Sequence, residues 1–238
     1  MNGRIKRPED TKQLQLPRIG KIKVGMKNEK GYPTSVDYFI ATGKYAELFK
    51  QAYGEKPQTI QIVFLADDAQ SVCLEEYEYR TDKGELVAKG DGEIFKVWNG
   101  YKYIEMTTEQ YPRLMTQVQE KYPNKAFQKS GDGWQVKLTL NFIIPLVRGV
   151  AGIWTFESNG NLSTIPQIRD CFDTLINERG YAKGVICDLN VKIATSQKPD
   201  SRSRYPVVTL VPNESRENLE KVVNARKPIL LEEQKKVE

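Results

Sequence analysis

Between residues 18 and 25, Ile19, Ile22 and Val24 are interleaved with Gly20, Lys21 and Lys23, the loose alternation of a short edge strand. The pattern then changes period. Tyr45, Leu48, Phe49 and Ala52 recur at i, i+3, i+4 and i+7, which predicts a helix over 43–53, stopped by Gly54 and Pro57. A strand at 59–65 follows, and from there the spacing of apolar and turn residues predicts an antiparallel meander. Its strands are expected at 71–80, 85–89, 93–98 and 101–106, with turns at Thr81-Asp82-Lys83-Gly84, Gly90-Asp91-Gly92 and Asn99-Gly100. Asn-Gly between aromatic and β-branched residues is a strong hairpin signal, because a two-residue turn of that kind needs φ > 0 at both positions.

Leu114, Met115, Val118 and Tyr122 predict a helix over 110–121, with Pro112 acceptable only in its first turn. Long strands are expected at 134–144 and 149–157, with Pro145 as a bend. The clearest helical stripe is Ile168, Cys171, Phe172, Leu175 and Ile176, over 165–179, with Ser163 or Thr164 as cap and Gly180 as stop. Strands at 185–195 and 205–212 flank a polar loop from Thr195 to Arg204. The expected fold is therefore α+β, a mainly antiparallel sheet with a β-meander and three to four helices packed on it. Its domain plan is a basic flexible arm at 1–16, a single core domain at 17–212, and a C-terminal helix with a charged tail at 213–238.

The composition, 39% hydrophobic and 28% charged, is that of a globular chain and excludes both a coiled coil and wholesale disorder. The most apolar run, Leu138 to Val150, is broken by Asn141, Pro145 and Arg148, well short of the ~20 residues a membrane helix needs. The polar, basic start, Met1 to Arg7, has no apolar region behind it, so no secretion is expected. Cys73, Cys171 and Cys187 have no C-x-x-C spacing, which points to buried thiols in a reducing cytoplasm rather than a disulfide framework or a zinc site. The glycosylation patterns at Asn161 and Asn213 are read as chance matches in such a chain.

Histidine is absent. That removes the Ser-His-Asp triad, the Cys-His pair, the histidine-ligated metal site and the usual general base near neutral pH. Asp67, Asp68, Glu75, Glu76, Glu78, Asp91 and Glu93 would bind Mg²⁺ if several converged on one ion, but turn acids and a solvated sheet face account for them better. Lys89-Gly90-Asp91-Gly92 and Gly149-Val-Ala-Gly152 lack the spacing of a phosphate loop. The hairpin beyond, with Phe95, Trp98, Tyr101 and Tyr103, offers rings for base stacking, though a packed sheet core explains most of them. No cofactor and no metal ligand set is expected, and no catalytic residue.

The net charge of +5 is modest, so any anionic partner must be met by local clusters. Two survive. One is the N-terminal arm running into Arg18, Lys21 and Lys23; the other is the loop bearing Lys198, Arg202 and Arg204. These six residues are the candidates for contacting a partner protein or nucleic acid, since arginine forks suit phosphates and carboxylates alike.

Several segments, taken in order, carry a resemblance. Pro17-Arg18-Ile19-Gly20-Lys21-Ile22 is followed by Gly25, Lys27 and Pro33, then by Asp37-Tyr38-Phe39, Thr42, and Ala52-Tyr53-Gly54-x-Lys56-Pro57. Gly84, Gly90-Asp91-Gly92, Gly152-x-Trp154-x-Phe156-x-Ser158 and Tyr205-Pro206-Val207 continue it. Over roughly residues 17–212 the chain resembles phage recombination directionality factors, the partners of large serine integrases. The resemblance implies a non-enzymatic phage accessory protein of DNA recombination in the cytoplasm of a bacterial host. Such a factor binds its integrase on DNA and switches it from integration to excision. Some members carry cysteines around the central hairpin, where this chain has Ala88 and other non-cysteine residues, so no metal site carries over. The rival expectation is a single-strand-binding or annealing protein that contacts DNA or RNA directly; a metal-dependent nuclease using the carboxylates is a third.

Overall fold

The computed structural model describes residues 16–123, 133–196 and 203–213. Its class is α+β: among the described residues there are an eight-stranded, mostly antiparallel sheet, a three-stranded sheet and four α-helices. The strands are β1 (Arg18–Lys27), β2 (Pro33–Thr42), β3 (Thr59–Val63), β4 (Cys73–Arg80), β5 (Leu86–Gly90) and β6 (Ile94–Trp98). They continue with β7 (Tyr103–Thr107), β8 (Trp134–Phe142), β9 (Ile153–Ser158), β10 (Ile186–Thr195) and β11 (Arg204–Pro212). The helices are α1 (Ala46–Tyr53), α2 (Ala69–Val72), α3 (Tyr111–Lys121) and α4 (Thr164–Thr174), the last running on as a π-helical turn, Leu175–Arg179. Gly180, at φ 80°, ends it.

The chain divides into two compact units, each built from segments far apart in sequence. The first comprises residues up to Cys73, Leu140–Phe156, and Gln167 onward. Here β1 pairs antiparallel with β2 and parallel with β9, while β10 lies between β11 and β3. Alternation decides which side chains enter this core: Ile60, Ile62, Leu189, Val191, Val208 and Leu210 are all buried. Helix α1 brings Phe49 to within 6.1 Å of Trp154, and α4 sets Phe172 edge-on to Phe64 at 5.4 Å.

The second unit comprises Leu74–Thr139 and Glu157–Pro166 and holds the meander. Tyr79, Val87, Ala88, Phe95, Val97 and Val118 form its core, with Trp134 tilted against Tyr79 at 5.6 Å and edge-on to Phe95 at 5.4 Å. Tyr79 Oη is satisfied by donating to the carbonyl of Tyr122, 2.9 Å away, so the phenol is buried without an orphaned hydroxyl.

Three local differences from the sequence reading have physical causes. Strand β2 was not foreseen; the turn over Asn28–Gly31 folds it back on β1, and Asn28 Oδ1 accepts from the backbone N–H groups of Lys30 and Tyr32. The strand expected from 71 starts at Cys73, because Asp68 caps a short helix by accepting from Ser71 N at 2.8 Å. The Asn99-Gly100 turn is a four-residue loop and not a two-residue one. The last pair is Trp98 with Tyr103, and Asn99 Oδ1 accepts from the backbone of both Tyr101 and Lys102. The helical stretch near 219–223, the tail and the N-terminal arm to residue 15 lie outside the described residues. Among the described residues, no helix is long and apolar enough to cross a membrane.

Candidate functional site

Strand β1 carries three of the six candidate cations. Ile22 points into the core at 1% exposure, which turns Lys21 and Lys23 to the opposite face. Arg18 opens the strand opposite Ile153, where the pairing with β9 slips a register before Gly20. Such an irregularity re-aims a side chain. Arg18 here lines a cavity of about 430 Å³ together with Leu16, Gln70, Ser71, Asn141 and Phe142. The Asn141 amide is fixed in that wall, donating to the Ser71 carbonyl at 2.9 Å and accepting from Thr155 Oγ1 at 3.0 Å.

A second cavity of about 440 Å³ shares Leu16 and Leu65 with the first and is lined by Ile144, Val147, Arg148 and Trp154. Among the described residues, Arg18 and Arg148 are the charged side chains lining these two spaces. Arg148 was not singled out in the sequence. It stands inside the apolar run Ile143 to Val150, and the signal available was one guanidinium in a segment otherwise apolar and bent by Pro145.

Several of the segments that carry the family resemblance lie in the first unit, whereas Gly84 and Gly90-Asp91-Gly92 belong to the second. Ile153 N donates to the Pro17 carbonyl at 2.9 Å, and Phe39 N to the Pro57 carbonyl at 2.8 Å. Gly20 lies directly under the Trp154 ring, and Gly152 under the Ile19 side chain, so close that neither place has room for a β-carbon. Lys56 Nζ sits 5.6 Å from the Tyr38 ring centre. Packing against Trp154 accounts for the glycine at position 20, and packing against Ile19 for the one at 152.

Arg204 opens β11 opposite Thr195 and is exposed. It belongs to the three-stranded sheet, whereas Arg18, Lys21 and Lys23 belong to the eight-stranded one. Lys198 and Arg202 lie outside the described residues; the base of their loop is closed by Ser196 N donating to the Ser203 carbonyl at 2.8 Å.

The carboxylates have structural partners. Asp67 Oδ1 accepts from Ala182 N at 2.8 Å and Lys183 N at 2.7 Å. Glu76 pairs with Lys89 at 2.9 Å, and Glu78 with Arg80 at 2.9 Å and Lys137 at 3.3 Å. Asp91 Oδ1 accepts from the backbone N–H groups of Ile94 and Glu93, and these bonds hold its carboxyl below the ordinary range. Among the described residues, no group of three or more aspartate, glutamate or cysteine side chains converges on one point. Cys73 and Cys187 are buried thiols outside any disulfide, and burial pushes the half-buried Cys171 thiol up to about 11.

Compared with known proteins, residues 19–213 match the model of a family described as Gp3-like, recombination directionality factor-like. No curated protein and no solved structure matches the chain.

Proposed function

The chain belongs to the Gp3-like, recombination directionality factor-like family, and from that premise we propose that it is a non-enzymatic switch protein. It binds a large serine integrase on DNA and turns it from integration to excision, in the cytoplasm of a bacterial host. The observation that carries this reading is the family match across 19–213, which takes in Lys21, Lys23 and Arg204. A switch needs no chemistry of its own. It needs higher affinity for one integrase arrangement than for another, and about 1–3 kcal/mol of coupling moves the balance 5- to 150-fold.

Arg18, Lys21, Lys23 and Arg204, with Lys198 and Arg202, are the residues we assign to charged contact with the integrase–DNA complex. Arg148 extends that set at the edge of the second, mainly apolar cavity.

The test uses a purified large serine integrase encoded by the same genome. Adding this chain should start recombination between the two hybrid sites that integration leaves behind, and should suppress recombination between the original pair. No change in either direction would overturn the reading. The single-strand-binding alternative has one observation in its favour, the 87% exposure of Tyr101 beside Lys102. It predicts tight binding to naked single strands, with log affinity falling linearly in log salt.

A further inference from the structure

The hairpin of β6 and β7 has two unlike faces. Phe95 and Val97 point into the core of the second unit, and Met106 packs against it. On the other face the cross-strand pairs are Ile94 with Thr107, Lys96 with Glu105, and Trp98 with Tyr103. Trp98 and Tyr103 lie 5.3 Å apart, their planes tilted by 59°, and Tyr103 Oη donates to the Leu86 carbonyl at 2.7 Å. The base of the turn is therefore tied down.

The turn itself is equally fixed. Asn99 N donates to the Lys102 carbonyl at 3.1 Å, while Asn99 Oδ1 accepts from Tyr101 N and Lys102 N, both at 2.9 Å. This geometry leaves Tyr101 at the tip with 87% of its surface in water. Lys121 reaches the same turn, since a β-carbon on Gly100 would lie 3.7 Å from its ammonium nitrogen. Among the described residues, neither Lys102 nor Lys121 pairs with a carboxylate.

A large ring held out on a rigid turn loses little freedom when it is buried by a partner, and tyrosine is among the residues that most often dominate protein interfaces. Resting on the integrase reading above, we propose that the β6–β7 turn is a protein-docking element. Tyr101 enters an apolar pocket on the integrase, and carboxylates on the rim of that pocket face Lys102 and Lys121. A single strand of nucleic acid fits the turn less well. Stacking successive bases needs several free ring faces, whereas Trp98 and Tyr103 are turned against each other. Half-exposed Ile94 and the Glu105 carboxylate share the same face and offer a phosphate chain nothing.

The experiment compares the full-length chain with Tyr101→Ala, with Tyr101→Phe, and with Lys102→Glu combined with Lys121→Glu. Binding to the purified integrase is measured by interferometry, and melting temperature serves as the folding control. Tyr101→Ala and the double charge reversal should each weaken binding by about tenfold or more at unchanged melting temperature, while Tyr101→Phe stays within about threefold. Parent and variants binding the integrase alike would overturn the docking role and leave the integrase reading standing. Failure of the parent to bind would overturn both. Tight binding of a dye-labelled oligothymidylate by the parent, lost in Tyr101→Ala, would assign the turn to nucleic acid and overturn the proposal.

Discussion

Gly20 and Trp154 fill one another's space: a β-carbon on Gly20 would lie 2.8 Å from Cε3 of the Trp154 ring and 2.7 Å from the Thr42 carbonyl oxygen. One contact is with a side chain that can turn and the other with backbone that cannot. Gly20→Ala is therefore expected to destabilise the protein by about 1–3 kcal/mol. Trp154→Leu, which removes the ring, should make the second substitution cost less in the double variant than in isolation. Chemical denaturation of the four proteins of that cycle checks it, and strict additivity would contradict the shared volume.

Asp91 supplies a pH-dependent prediction. Its folded value is depressed by the N–H groups of Ile94 and Glu93, so its contribution to stability is present above the ordinary aspartate value and lost as pH falls through the lower folded one. The group is largely exposed, and solvent screening limits the effect to about 1 kcal/mol or less. Asp91→Ala should melt below the parent at neutral pH, and the gap should close in acid, once the folded-state carboxyl is protonated. A gap that persists in acid would show that the turn needs the side chain's shape rather than its charge.

Cys171 should be a poor nucleophile. With its thiol pushed up to about 11 by burial, only about one molecule in a thousand carries the thiolate at pH 8. Iodoacetamide at that pH should leave Cys171 largely unmodified in the folded protein and label it promptly in denaturant. Peptide mapping by mass spectrometry reads the difference, and fast native labelling would refute the assignment.

The core over 17–212, expected to be a single domain, should melt in one transition in calorimetry, because both compact units are assembled from interleaved chain segments. Two resolved transitions would assign each unit a stability of its own.

Much of this fold was legible because its periods are clean. The stripe from Ile168 to Leu175 and the alternation from Ile186 to Val191 each leave one reading of which side is buried. Strand β2 escaped because Tyr32-Pro33 reads as a break, and the turn that creates the strand is set by the Asn28 side chain. Helix α2 escaped because four residues carry no periodicity and only the Asp68 cap marks it. At the candidate site, charge pattern picked out Arg18, Lys21 and Lys23. It had no means of pairing Arg18 with Arg148, because the two guanidinium groups border neighbouring cavities only once β1 has found β9. Tyr101 was visible as an aromatic, but its exposure depends on Asn99 closing a four-residue loop.

The parallel pairing of β1 with β9 sets an order of events during synthesis. Lys21 finds its partner only when Thr155 has been made, on the order of ten seconds later at ribosomal speeds of about 5–20 residues per second. Until then the β1–β2 hairpin has one edge unsatisfied, and Trp154, which closes over Gly20, has not yet been added. Closing so long a loop is slow, so refolding of the whole chain from denaturant should be governed by this late docking rather than by the local hairpins of the meander.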